Sequence, residues 1–79
     1  MYDIATIPRE ARILYRRGMA LSDQQKDEAA VKFLRQAVII APRFDGSYRA
    51  LAICLARLGR EQDVADCQYR LATMATDSS

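Results

Sequence analysis

Sliding the 79-residue chain on itself by 34 residues superimposes Leu14 on Tyr48, Arg17 on Leu51, Gly18 on Ala52, Leu21 on Leu55, Ala30 on Val64, Ala37 on Leu71 and Val38 on Ala72, with no gap. A fixed period of this length marks stacked supersecondary units, each burying its apolar face against its neighbour. Two units and short ends account for the whole length, which leaves no room for a second core. A chain this short buries only about 60% of the surface its unfolded form exposes, so its margin of stability is small.

Within each unit the pattern is helical. Only three Gly and two Pro interrupt 79 residues, and no window alternates apolar and polar side chains as a half-buried strand does. The first helix is expected over about 8–22, with Pro8 at its first position, Glu10 near the positive end and Leu14, Gly18 and Leu21 as its stripe. The second, about 26–41, lines up Ala30, Val31, Leu34, Ala37, Val38 and Ala41. Phe33 and Ile40 widen its apolar face until Lys32, Arg35, Gln36 and Ile39 remain for water, so this helix is expected at the centre, covered on two sides. Pro42 stops it, because a proline disfavours helical backbone in the residue before it. Asp45 then caps a third helix to about 58, with Tyr48, Leu51, Ala52 and Leu55 as its stripe and Gly59 for its left-handed end. A fourth, about 61–75, rests on Val64, Ala65, Leu71, Ala72 and Ala75, and 76–79 reads as a frayed tail.

These spacings resemble the tetratricopeptide repeat, a 34-residue helix pair with the signature W-x₂-L-G-x₂-Y, then A-x₃-F, then P. The first copy reads Leu14-x₂-Arg17-Gly18-x₂-Leu21, Ala30-x₃-Leu34, Ala37 and Pro42; the second reads Tyr48-x₂-Leu51-Ala52-x₂-Leu55, Gly59, Val64 and Leu71. Gly18 and Ala52 are small where the first helix of a pair crosses the second. Arg17, Gln25, Gln68 and Thr76 depart from the pattern. Gln25 stands where the second copy has Gly59; a matching turn there puts Gln25 in left-handed backbone, at a cost of up to about 1 kcal/mol. Sliding the last helix by one residue would set Ala65, Tyr69 and Ala72 on the signature but bury Asp66, so the ungapped register is preferred. The resemblance implies an all-α fold of two tandem antiparallel helix-turn-helix pairs, a fragment of a right-handed α-solenoid. It forms one domain over 1–79, with repeat one at about 11–44 and repeat two at about 45–78.

The inventory for catalysis is poor. There is no His, Cys54 and Cys67 fall on different helices and read as small core fillers, and no glycine-rich phosphate loop is present. Glu61, Asp63 and Asp66 open a helix, where the dipole stabilises acids. No enzyme, cofactor or metal site is expected. Two cysteines make no disulfide framework, no stretch nears the roughly 20 apolar residues of a membrane span, and 1–8 lack the basic start and apolar run of a signal peptide. A soluble cytoplasmic protein with reduced thiols is the expectation.

Ten of the twelve bases are Arg, and they are placed unevenly. The leading helices of the two pairs carry Arg9, Arg12, Arg16, Arg17, Arg49 and Arg57 against Glu10 and Asp23; the last helix carries Glu61, Asp63 and Asp66 against Arg70. In the family resembled, leading helices line a concave peptide-binding surface. The resemblance therefore implies a groove built from Arg12, Tyr15, Arg16, Met19, Arg49, Ile53 and Arg57, with Tyr15, Met19, Ile53 and Ala56 as apolar floor and Arg edges. Arg forks bind carboxylates bidentately, so an acidic, apolar peptide segment is the expected partner. The Lys/Asn pattern of the chaperone-tail clamp known in some members is missing, Tyr15 and Met19 standing there instead. Nucleic acid, through the Arg and Tyr15, is the alternative, at odds with a net charge of only +2; a purely structural oligomerisation unit is another. Two repeats are fewer than a stacked array normally needs. The expectation is therefore either that the chain is a piece of a larger array or that it self-associates through Asp63, Asp66, Tyr69 and Met74, head-to-tail or about a two-fold axis.

Overall fold

The computed structural model describes residues 7–77, which form four helices: α1 (Arg9–Asp23), α2 (Asp27–Ile40), α3 (Asp45–Arg57) and α4 (Glu61–Asp77), with no strand among the described residues. Thr76 and Asp77, expected as frayed tail, belong to α4; Ser78 and Ser79 lie outside the described residues. The chain makes a slab of 33 × 27 × 17 Å, thin enough that every helix keeps a face in water.

Two starts differ from expectation. Pro8 precedes α1 with extended ψ of 145°, its carbonyl accepting the Arg12 N–H at 3.2 Å. The buried Ile7 beside it packs into a cluster with Ala11, Ala37, Ala41 and Phe44, which holds the chain extended until Arg9. Asp45 is likewise no cap: Phe44 takes that position without a side-chain hydrogen bond, and Asp45 is the first helical residue. The Phe44 ring is buried in the same cluster, so the chain is anchored there and Asp45 faces outward to Arg49, 3.4 Å away. Ala41 is extended, at φ −127° and ψ 85°, as the residue before a proline must be.

The turns repeat with the sequence. Lys26 N–H donates to Leu21 C=O at 2.9 Å and Gln25 N–H to Ser22 C=O at 2.9 Å; 34 residues on, Arg60 donates to Leu55 at 2.9 Å and Gly59 to Ala56 at 3.0 Å. Both are the paired hydrogen bonds of a helix ending in a left-handed residue. Gln25 holds φ 60° and Gly59 φ 75°, so the first copy makes its turn without a glycine.

α1 packs on α2, α2 on α3 and α3 on α4, and α2 is covered by both α1 and α3 as its apolar girth requires. Ala30, Leu34 and Ala37 are completely buried there. A Cβ on Gly18 would lie 2.6 Å from Leu34 Cγ and 3.3 Å from the Ala30 carbonyl oxygen, so the small residue is what lets α1 and α2 approach. Arg17 is accommodated on the surface, its guanidinium 6.0 Å from the Phe33 ring centroid.

The outer stripes are narrower than expected. Ile40 is exposed, because it lies beyond the reach of α1 and α3. On α4, Ala65, Ala72 and Ala75 are exposed and Cys67 is buried instead, with Val64, Leu71 and Met74 packed half-buried on the core. Ala65 and Ala72 are the counterparts of Val31 and Val38 in α2, which belong to the core cluster that α3 completes, and no described helix covers them here. Asp66 and Tyr69 are exposed, as the ungapped register requires.

Candidate functional site

The face shared by α1 and α3 gathers the residues expected to form a groove. Tyr15 is half-buried, its ring 4.8 Å from Phe44 at an interplanar angle of 46°. Its hydroxyl lies only 3.5 Å from where a Cβ on Gly46 would stand, so Tyr15 spans from α1 to the start of α3. Met19, one turn further, is half-buried against the main core cluster. These two side chains form the seam between the helices rather than an open floor. Ile53 does stand in solvent, 55% exposed in mid-helix, with exposed Arg49 and Arg57 one turn to either side. Arg16 is exposed; Arg12 is half-buried, and no hydrogen bond among the described residues holds its buried Nε.

Arg57 is committed inside the molecule. One guanidinium nitrogen donates to Ser22 C=O at 3.3 Å, Ser22 Oγ at 3.3 Å and Asp27 Oδ1 at 3.0 Å. Arg60 grips both Glu28 carboxylate oxygens, at 2.8 and 2.9 Å, and Arg35 meets Asp63 at 3.4 Å. All three ion pairs join the first helix pair to the second. The end of α3 stands against the start of α2, where Asp27 and Glu28 meet Arg57 and Arg60. Reading Asp27 and Glu28 only as dipole partners misses this. Arg49 pairs along its own helix with Asp45, an exposed contact that a ligand carboxylate can replace.

Cys54 sits beneath this clamp, its thiol 3.4 Å from Ser22 Oγ. Burial pushes the Cys54 thiol above its ordinary value of 9.0, and the Asp27 carboxylate adds to the rise. Burial also raises Cys67, with Asp63 and Asp66 adding to it against Arg35. Both are neutral, inaccessible thiols at physiological pH, without the thiolate character of a nucleophile. Among the described residues no group of three or more His, Cys, Asp or Glu is placed to hold a metal, and no helix is long and apolar enough to cross a membrane.

On the opposite side, α2 and α4 diverge over α3 and leave a cleft. One part, about 440 Å³, has Tyr48, Leu51 and Leu55 of α3 at its base and Val38, Ile39 and Asp63 on its walls. The adjoining part, about 500 Å³, is lined by Tyr69, Thr73 and Met74, and the two share Pro42, Asp66 and Arg70. Ile39 and Tyr69, 76% and 74% exposed, are the most exposed large apolar residues described, and each borders this cleft. All four residues expected in self-association lie on it: Asp63, engaged by Arg35, and Asp66, Tyr69 and Met74.

No family model matches the chain, and neither a curated protein nor a solved structure matches it.

Proposed function

We propose that the chain is a tetratricopeptide-like module, two helix pairs in right-handed succession, that binds an acidic, apolar peptide segment without catalysing a reaction. The observation that carries the reading is Ile53: an isoleucine half in water at mid-helix, one turn from Arg49, on the face where Tyr15 and Met19 seam α1 to α3. An apolar side chain there contributes nothing to the core and supplies an anchor for a ligand. The recurrence of turn hydrogen bonds 34 residues apart supports the repeat reading. Arg12, Arg16 and Arg49 are the orienting cations, while Arg57 serves the fold. Apolar burial supplies affinity and the arginines supply register, so added salt weakens the second contribution. Two free thiols suit a reducing compartment such as the cytoplasm.

Fluorescence anisotropy with a panel of labelled peptides tests this. Peptides pairing a large apolar residue with two or three carboxylates bind the parent, and bind the Arg12→Glu/Arg49→Glu and Ile53→Asp variants at least about tenfold more weakly. Uniform failure of such peptides, alongside tight salt-sensitive binding of an oligonucleotide, would replace this reading with nucleic-acid binding.

A further inference from the structure

The cleft face of α4 carries an acid and a base that are positioned for each other and do not meet. Asp66 and Arg70 have the same i, i+4 spacing as Asp45 and Arg49, which pair at 3.4 Å, yet neither makes an ion pair among the described residues. With Tyr69 and Thr73 they fall within an arc of about 100° on the helix. We propose that a second copy of this chain docks on this face, the two α4 helices antiparallel about a two-fold axis that passes this face midway between Asp66 and Arg70.

Three physical features select that occupant. First, an antiparallel two-fold places Asp66 opposite the partner's Arg70 and Arg70 opposite the partner's Asp66, so one unpaired acid and one unpaired base become two pairs. A uniformly acidic or basic ligand meets a like charge on the same face. Second, Tyr69 lies next to the axis on the same side of both helices, so the two rings cover each other and the apolar part of the cleft beside them. Third, antiparallel helices oppose their dipoles favourably.

The repeat itself excludes the head-to-tail alternative. Carrying the α2–α3 contact over to α4 and the α1 of a following copy puts Arg16 and Arg17 where Ala50 and Leu51 are buried. The Arg57–Asp27 clamp becomes Asp23 against Glu61, two acids. A closed pair therefore forms instead of a growing stack. This surface is separate from the α1/α3 face, so its success or failure is independent of peptide binding.

Sedimentation equilibrium over rising concentration tests the proposal. The parent is expected to move from 8.9 kDa to twice that mass and stop there. Asp66→Arg and Arg70→Asp, both at exposed positions and checked for helix content by circular dichroism, each weaken the dimer at least about tenfold. An equimolar mixture of the two single variants pairs again, and so does the double exchange Asp66→Arg/Arg70→Asp. Arg12→Glu/Arg49→Glu leaves the dimer intact. A parent that stays at 8.9 kDa throughout, assemblies that grow past two copies, or a dimer indifferent to both reversals would each overturn it.

Discussion

Gln25 and Gly59 make the same turn with different residues. At φ 60° the Gln25 Cβ crowds the following carbonyl, a strain glycine does not have. Gln25 is exposed and its side chain makes no hydrogen bond among the described residues, so Gln25→Gly is expected to raise stability by up to about 1 kcal/mol. For a domain of this size that is a rise in Tm of about 4–8 °C, read by thermal unfolding. The thiols give a second residue-scale expectation, with its sign set by burial. Because the folded pKa of Cys54 and Cys67 lies above 9.0, the unfolded chain ionises first as pH rises. Their contribution is fully present below pH 9.0 and is lost as pH climbs from there through the folded pKa. Urea unfolding from neutral to about pH 10 should show this decline, and Cys54→Ala should flatten it.

Each helix boundary has an identifiable cause: the proline at 42, the left-handed residues at 25 and 59, the buried Ile7 that delays α1 by one residue, and the buried Phe44 that lets α3 begin one residue early, at Asp45. The proline and the glycine are visible in a linear reading. Ile7 and Phe44 are not, because their anchoring depends on Ala11, Ala37 and Ala41 coming together from two other segments. The contact between α1 and α2 rests on Gly18. Gly18→Ala gains about 1 kcal/mol of helix propensity, but its Cβ would press on Leu34 Cγ at 2.6 Å, and Leu34 is fully buried with nowhere to move. Overpacking of this kind costs about 1–3 kcal/mol, so a net destabilisation is expected in denaturant unfolding. Ala52, its counterpart in the second pair, already carries the methyl group.

The molecule as a whole is two helix pairs joined by α2–α3 packing, by Ser47, whose buried hydroxyl donates to the Leu34 carbonyl at 3.0 Å, and by three arginine clamps. Arg57 has the largest share. Its removal leaves the Asp27 carboxylate, only 11% exposed, without its cation. Arg57→Ala is expected to cost about 1–3 kcal/mol, and Arg57→Lys to recover part of it, since an ammonium keeps a cation beside Asp27 but is more strongly hydrated than a guanidinium. Urea midpoints of the three proteins check this order. Under the proposed function, Arg57→Ala is expected to leave binding of an acidic peptide through Ile53 and Arg49 in place, which the same anisotropy titration checks.

Helix number, the turns, the centrality of α2 and the small residue at 18 were all legible in the 34-residue period, because periodicity and turn chemistry are local or recur at a fixed offset. The candidate site was legible only as a set of faces. Which arginines are free and which are consumed depends on pairs about thirty residues apart, and Arg57 reads the same as Arg49 until α2 stands beside it. Tyr15 and Met19, similarly, look like groove floor on a helical wheel and become seam once α3 is in place. The narrowing of α4 to Val64, Cys67, Leu71 and Met74 has the same origin: apolar periodicity says what a helix is able to bury, and only the neighbours present decide what it does bury.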